Sequence, residues 1–333
     1  MNVLFIAKDR DDPATRYRVL PLKSRLAELN MDTSICDSAD GIKGKLRLLS
    51  KASAADLVFI QRKLLAPWLV SALKRRCSKL VYDFDDAIFS KSSGKPSNRR
   101  MAKFRKVLDT ADLVLAGNAY LAEQCQFTCP DVDTIVVPTP VDQDLYDREI
   151  EKQKGCVLVW VGSSSTRKYL EFHRDIFEEI GSRFPNVSLK VIADFEFKLD
   201  KLPVENIQWS SETEARELGS AHIGIAPMID NQYTRGKCAL KIIQYMAAGL
   251  PVISSRVGAN SEVIVNGETG FLVDSLEEWI EAVEHLETDP SARDKMGSAG
   301  YQRMQENYSQ QAVVESIVEN LKVRQLIADA QLA

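Results

Sequence analysis

Strands and helices alternate along almost the whole chain, and this alternation restricts the possible folds more than any other feature of the sequence. Short apolar runs typical of buried strands, such as 2–7, 56–60, 79–83 and 113–116, are separated by segments with helical spacing of apolar residues. Strands that alternate with helices favour a parallel sheet covered by helices on both faces. We therefore predict an α/β protein with doubly wound parallel sheets.

The alternation runs in two series, and a chain of 333 residues is long enough for two domains. Two prolines and a charged, weakly apolar stretch mark 138–155 as the junction. We predict an N-terminal domain over 1–150, a C-terminal domain over 156–308, and a final helix from 311 to 330 within the segment 309–333. Ligands of such sheets bind beyond the carboxyl ends of the strands.

Composition argues against several classes of protein. With 45% hydrophobic and 27% charged residues the chain is typical of a globular protein, and no apolar run approaches the roughly 18 residues that span a bilayer. A net charge of −4 and the lack of a recognised motif argue against a nucleic-acid partner. Six cysteines without metal-site spacing, and a start without a secretory leader, favour reduced thiols and a cytoplasmic location.

The segment 234–273 carries the strongest functional signal. A loop with Arg235 and Lys237 leads into an apolar helix that begins at about Ala239, and Gly249 ends this helix as a left-handed cap. The free N–H groups and the dipole at a helix N-terminus favour an anion such as a diphosphate. The spacing therefore predicts an anion site at this loop.

The same segment resembles the nucleotide-sugar-binding region of the GT-B glycosyltransferases of family 4. The run QYMAAGLPVI at 244–253 matches the family motif E-A-M-A-x-G-x-P-V-I, and it is followed by Val-Gly at 257–258 and NGETG at 266–270. The resemblance implies two Rossmann-like domains that face a central cleft, and a C-terminal helix in 309–333 that packs back on the N-terminal domain.

The resemblance also implies a reaction. A retaining, metal-independent enzyme would move a sugar from a UDP- or GDP-linked donor to a saccharide or lipid-linked acceptor, in surface polysaccharide or glycolipid assembly. It implies no cofactor besides this nucleotide sugar.

The family motif assigns candidate roles to residues of the second domain. In the family a strand is followed by Gly-Arg and then by a lysine, and these cations bind the donor diphosphate. Matching from Gly162 places Ser163 at the arginine and Lys168 at the lysine. Cations and helix amides can stabilise a departing diphosphate, so we expect Lys168, Lys237 and Lys241 to be the catalytic residues. The expected donor-binding residues are Gly162, Ser163, Thr166, Arg235, Gly236, Cys238, Ala239, Leu240 and Gln244.

The chain departs from the family at a pair of glutamates. The first falls at Gly236 and the second, which binds the nucleotide ribose in the family, falls at Gln244. The Gln244 amide can still bind a ribose hydroxyl. A divergent enzyme in which Lys237 or Asp230 reshapes the sugar pocket is our first interpretation. A catalytically silent nucleotide-sugar-binding partner protein and a nucleotide-sugar epimerase or hydrolase are the alternatives.

The first domain offers residues for the acceptor side, namely Arg16, Asp85, Asp86 and Asn118, which follow predicted strands. Arg16 and Arg18 can meet phosphate groups or lie on the surface of a capped helix. The acidic run 83–86 is also compatible with a metal ion, but the resemblance predicts a site without metal.

A basic segment at 91–106 has seven Lys and Arg residues and no acid. It can hold the protein against an anionic membrane face, as a peripheral contact on the inner side, or bind a lipid diphosphate. The other interpretation is a solvated loop that leads into a helix with a basic face.

Overall fold

The computed structural model describes residues 1–9, 12–37, 41–146 and 150–328. The strands are β1 (Asn2–Ala7), β2 (Asp32–Asp37), β3 (Leu57–Gln61), β4 (Lys79–Phe84), β5 (Leu113–Ala116), β6 (Thr134–Val136), β7 (Cys156–Val161), β8 (Val187–Ala193), β9 (Val204–Gln208), β10 (Ile223–Ala226), β11 (Val252–Ser255) and β12 (Gly270–Val273). The helices are α1 (Leu20–Glu28), α2 (Gly41–Ser53), α3 (Pro67–Lys74), α4 (Asn98–Leu108), α5 (Ala119–Thr128), α6 (Arg167–Phe172), α7 (Arg174–Arg183), α8 (Glu214–Gly219), α9 (Gln232–Arg235), α10 (Leu240–Ala247), α11 (Asn260–Val263), α12 (Leu276–Thr288), α13 (Pro290–Asn307) and α14 (Gln310–Val323).

Packing divides the chain into two compact units. Unit 1 comprises Met1–Pro140, Asn231–Cys238 and Gln310–Ala333, and unit 2 comprises Val141–Asp230 and Ala239–Ser309. The predicted boundaries differ from these units at three places. They put 141–150 in the first domain, 231–238 in the second, and 309 in the final segment. Val141 belongs to unit 2 because its N–H donates to the Tyr308 carbonyl at 2.9 Å. The final helix α14 belongs to unit 1 and packs on α1.

The sheet of unit 1 is parallel throughout, with the strand order β2-β1-β3-β4-β5-β6. Side chains alternate across it, because successive residues of a strand point to opposite faces. Leu4 and Ile6 pack with the core side chains of α2, α3, α4 and α5, whereas Val3 and Phe5 pack with those of α1 and α14. Both faces of this sheet are therefore buried.

The sheet of unit 2 has the corresponding arrangement, with the parallel order β12-β11-β10-β7-β8-β9. Val157 and Val159 of β7 pack with α10 and α13, whereas Leu158 and Trp160 pack with α7 and α12. The prediction of two Rossmann-like, doubly wound parallel sheets is confirmed.

Some predicted elements have different ends. The sequence from 170 to 183 predicts one continuous helix, but the structure breaks it at His173. The His173 ring Nδ1 binds the Tyr169 carbonyl at 2.8 Å and replaces the backbone donor there. The final helix ends at Val323 rather than 330, because Gln325 adopts φ 54° and the Leu326 N–H turns back to a carbonyl of the helix. Positions 329 and 330 lie outside the described residues. The predicted left-handed cap at Gly249 is confirmed, with φ 69°.

Candidate functional site

The loop after β7 uses its own polar groups to fix its shape. The Ser163 N–H donates to Thr166 Oγ1 at 3.1 Å, and the Thr166 hydroxyl donates to the Ser163 carbonyl at 3.0 Å. The Ser164 N–H and hydroxyl donate to the two carboxylate oxygens of Asp194 at 2.6 and 3.0 Å. The resemblance implied donor-binding roles for Gly162, Ser163 and Thr166 in this loop. In the structure the donors of the neighbouring Ser164 are taken by a carboxylate that follows β8.

Two predicted cations of unit 2 lie on aromatic rings. Lys241, in the first turn of α10, places its Nζ 3.8 Å from the centre of the Trp160 ring, and Lys168 Nζ lies 5.2 Å from the Tyr169 ring centre. A Cβ atom at Gly162 would lie 2.3 Å from the Trp160 ring. The lack of a side chain at this position therefore leaves room for the indole. The indole therefore lies between Gly162 at the end of β7 and Lys241 at the start of α10.

The N-terminus of α10 is built on a strained residue. Ala239 precedes Leu240 with φ 51° and ψ 25°, a left-handed conformation that is uncommon for a residue with a Cβ. Such conformations persist where the surroundings determine them, and they are enriched at ligand sites. The Tyr245 hydroxyl holds the helix in place, because it donates to the Ile225 carbonyl and accepts the Val161 N–H, both at 3.1 Å.

Gln244 is buried and its amide is engaged within the protein. Its Nε2 donates to Glu214 Oε1 at 2.7 Å and to the Tyr146 hydroxyl at 3.1 Å. Glu214 is itself buried and also accepts hydrogen bonds from Tyr146 and from Trp209 Nε1. Sequence reasoning missed Glu214, which has no local signal besides its place at the start of α8.

Unit 1 contains a cluster of charges, which we call the charge cluster: Arg62, Asp85, Asp86 and Lys237. Arg62 Nη2 donates to Asp86 Oδ2, and Arg62 Nε lies 3.5 Å from Asp85 Oδ1. Lys237 Nζ lies 3.6 Å from the other oxygen of Asp86. Opposite charges therefore balance the acidic run that the sequence also left open as a metal site. Arg62 was missed, although it directly follows β3 and has φ 55°.

The backbone of 235–238 is fixed against the same edge of unit 1. The Asn118 side chain, which caps α5, donates to the carbonyls of Arg235 and Lys237 at 3.1 and 3.0 Å. The buried Cys238 thiol donates to the Asp85 carbonyl at 3.2 Å, and burial raises its pKa to about 12. This thiol is therefore neutral at physiological pH. The structure thus brings predicted donor residues and predicted acceptor residues together.

Gly236 lies against the backbone of Ala87. A Cβ atom on this glycine would lie 2.6 Å from both the N and the Cβ of Ala87. Real Cβ atoms do not approach other atoms this closely, so a side chain at 236 requires the loop to move. A glutamate at 236, which the family motif has at this place, would therefore also require the loop to move.

The two arginines near the start of α1 have different environments. Arg16 donates to the Tyr17 hydroxyl at 2.9 Å and lines an open groove between α1 and α14. Arg18 is buried, donates to both carboxylate oxygens of Asp83, and reaches the Val137 carbonyl at 3.0 Å. The interpretation of Arg18 as a phosphate ligand is wrong, because its guanidinium is occupied inside the core of unit 1.

The basic segment 91–106 forms a loop and most of α4. Arg100 donates to the carbonyls of Ile88 and Ser90, and Lys103 donates to the carbonyl of Leu64. These two cations fix neighbouring loops. Exposed side chains in the segment are those of Lys91, Lys95, Arg99, Arg100 and Arg105. Within the part of the chain that the structure describes, no helix is long and apolar enough to cross a membrane.

Part of the sequence is similar to a known protein family and to several characterised proteins. The family model for "Glycosyl transferases group 1" matches residues 155–289. D-inositol 3-phosphate glycosyltransferase of Pseudarthrobacter chlorophenolicus is 30% identical over 118 residues, which are 35% of this chain and 26% of that protein. Spore coat protein SA of Bacillus subtilis is 32% identical over 76 residues, which are 22% of this chain and 20% of that protein. The chain thus aligns with only about a quarter or less of these relatives.

Solved structures resemble the chain over nearly its full length. Sucrose-phosphate synthase from Thermosynechococcus elongatus superimposes with a TM-score of 0.77 at 16% identity and covers 98% of each chain. Anabaena HepE in complex with UDP and glucose superimposes with a TM-score of 0.70 at 14% identity, over 97% of this chain and 100% of that one. At such identities the likeness shows the fold.

Proposed function

We propose that the protein is a glycosyltransferase, because residues 155–289 match the family model for glycosyl transferases group 1 and the chain has the GT-B fold. It transfers a sugar from a nucleotide-diphosphate sugar to the hydroxyl of a saccharide or lipid-linked acceptor. The proposal includes retention of configuration, catalysis without a metal ion, and a role in surface polysaccharide or glycolipid assembly. The cysteines, which are all thiols in the structure, support a cytoplasmic location.

The contact of Lys241 with Trp160 is the main structural observation that supports the proposal. It holds an ammonium group in the first turn of α10, where the helix amides and dipole already favour an anion. A diphosphate that leaves the donor sugar gains negative charge in the transition state, and a fixed cation stabilises that charge. Lys241 is therefore our first candidate for diphosphate stabilisation, and the exposed Lys168 is the second.

The charge cluster of unit 1 supports a role next to the reacting sugar. Asp86 holds Arg62 and Lys237 at the carboxyl edge of the sheet, where ligands of such sheets bind. We assign Lys237, with Lys168 and Lys241, to stabilisation of the leaving diphosphate, and Asp85, Asp86, Asn118 and Arg16 to the acceptor side.

Thermal stabilisation by nucleotides tests the donor site. UDP, GDP and their sugars are added to the full chain, because a ligand at 100 times its Kd stabilises the native state by about 2.7 kcal/mol. The Anabaena relative in complex with UDP makes UDP and UDP-glucose the first compounds to test. We expect Lys241→Ala and Lys168→Ala to reduce the shift, and Lys198→Ala, which changes an exposed lysine of the same unit, to leave it unchanged. If no nucleotide shifts the melting temperature, the proposal that these residues form a donor site is wrong.

One observation favours a second candidate, a catalytically silent protein that binds nucleotide sugars. Both Gln244 and the Ser163–Ser164 amides are satisfied by protein groups, so part of the predicted donor site is already occupied. Incubation of UDP-glucose with and without candidate acceptors separates the functions. A transferase releases UDP faster with an acceptor, an epimerase converts the donor alone, and a silent protein does neither although it binds.

A further inference from the structure

The outer surface of α2 and the start of α3 expose large apolar side chains. Ile42 is 78% exposed, Leu46 61% and Trp68 54%. Ile42 and Leu46 are neighbours on one side of α2, because residues four apart lie on the same helix face. Lys45, beside them, places its Nζ 5.8 Å from the centre of the Trp68 ring. These side chains therefore form one surface, which we call the α2–α3 face.

Basic residues of α2 lie beside the α2–α3 face. Helix α2 has four basic residues and no acidic residue: Lys43, Lys45, Arg47 and Lys51. The adjoining side of α2 is buried through Leu48, Leu49 and Ala52, and Lys43, Arg47 and Lys51 lie on the other side, so α2 is amphipathic. An amphipathic helix with lysines beside exposed apolar residues is typical of segments that lie in a membrane interface, and tryptophan is enriched there.

The α2–α3 face lies at the same end of unit 1 as the charge cluster, and further basic residues lie at this end. In a parallel sheet with helical crossovers, each helix begins near the carboxyl end of the preceding strand. Ile42, Trp68 and Arg99 all lie at or near the starts of their helices, so they are at the end of unit 1 that also has Arg62 and Asp86. Helix α4 packs next to α3 and adds the exposed Arg99 and Arg105.

We propose that the α2–α3 face docks unit 1 on an anionic lipid bilayer. Trp68, Ile42 and Leu46 enter the headgroup region, while Lys43 and Arg47 bind lipid phosphates or carboxylates. Lysine is depleted in the core of protein–protein interfaces, which favours a lipid surface over a protein partner. The docking goes beyond the proposed glycosyl transfer, and it requires no nucleotide.

Sedimentation of the full chain with vesicles tests the docking. We expect binding to vesicles of equal parts phosphatidylcholine and phosphatidylserine, and little binding to phosphatidylcholine alone. Each basic residue near an anionic surface contributes roughly a fivefold gain in binding. Lys43→Glu/Arg47→Glu is therefore expected to weaken binding roughly 25-fold or more and to lower its salt dependence. Trp68→Ser is expected to weaken it at low and at high salt.

Matched variants keep the test specific. Arg75→Glu/Arg76→Glu makes the same change of charge at exposed residues at the other end of α3, and Phe127→Ser removes an apolar side chain that is 85% exposed on α5. Both controls are expected to bind like the wild type. The proposal is wrong if the wild type does not sediment with anionic vesicles, or if the controls lose as much binding as the face variants. It is equally wrong if Trp68→Ser alters only the oligomeric state. Donor binding is measured without vesicles, so its failure is distinguishable from a failure of docking.

Discussion

The side-chain amide of Gln244 donates to the buried carboxylate of Glu214 at 2.7 Å. Gln244 stands where the family motif has a glutamate, and a carboxylate from α8 occupies the space beside it. Glu214 also accepts hydrogen bonds from the Tyr146 hydroxyl at 3.1 Å and from Trp209 Nε1 at 2.5 Å. Three donors thus converge on one carboxylate, and the amide at 244 is one of them.

Gln244→Glu is expected to destabilise unit 2 by about 2 to 4 kcal/mol at pH 7, because it places two carboxylates in contact inside the protein. One of the two must then stay protonated, so the loss becomes smaller as the pH is lowered towards the ordinary carboxyl range. Urea unfolding at several pH values measures this change.

The exchange variant Gln244→Glu/Glu214→Gln is the control for this prediction. It restores one amide and one carboxylate in the same place, and we expect it to recover most of the lost stability. A single Gln244→Glu variant as stable as the wild type would contradict the contact.

Local sequence signals predicted the fold well, because buried strands have a clear signature. The strand Leu113–Ala116 is apolar throughout and was predicted at its observed ends, whereas β2 was missed because its sequence DTSICD is half exposed at the sheet edge. The candidate site was predicted less completely. The partners of Asp86 and Gln244 lie far away in the sequence, at Lys237 and Glu214, and no local pattern encodes such pairs.

Gly236→Ala is expected to lower stability by about 1 to 3 kcal/mol, since the added Cβ would lie 2.6 Å from the Ala87 backbone. Movement of the loop 235–238 would also displace Lys237, so the melting shift with UDP is expected to fall. Differential scanning fluorimetry with and without UDP measures both effects.

Gly236→Glu restores the family's first glutamate, yet we expect it to be at least as damaging as Gly236→Ala, because the longer side chain starts from the same crowded Cβ. Recovery of stability or of nucleotide binding in Gly236→Glu would show that the loop can accommodate a side chain.

Asp86→Asn is expected to cost about 1 to 3 kcal/mol of stability, because it leaves Arg62 and Lys237 without their shared carboxylate. The Asp86 side chain is 10% exposed, so added salt should screen the loss only weakly. Chemical denaturation at low and high salt measures both quantities.

The exposed pair Lys198–Glu196 provides the comparison, with side chains that are 83% and 75% exposed. Glu196→Gln is expected to change stability by less than about 0.5 kcal/mol. Equal losses for Asp86→Asn and Glu196→Gln would mean that the charge cluster contributes no more than a surface ion pair.

His222 is expected to make the protein less stable as the pH falls from 6.5 to about 4. Its Nδ1 accepts the Val157 N–H at 3.1 Å, which requires an unprotonated ring nitrogen. Burial lowers the pKa of His222 to about 4, with help from the cations Arg293 and Lys152, against 6.5 for the unperturbed side chain.

Between these two pH values the unfolded chain binds a proton at His222 and the native protein does not, so stability is fully present above 6.5 and is lost towards 4. The side chain is half buried, and after allowance for solvent screening we expect a loss of about 1 to 2 kcal/mol. His222→Gln keeps an acceptor for Val157 but cannot be protonated, so its unfolding free energy should vary less with pH in this window. His285→Gln changes an exposed histidine and should retain the wild-type dependence. If the His222→Gln variant and the wild type lose stability in parallel from pH 6.5 to 4, the ring of His222 is not held neutral in the native protein.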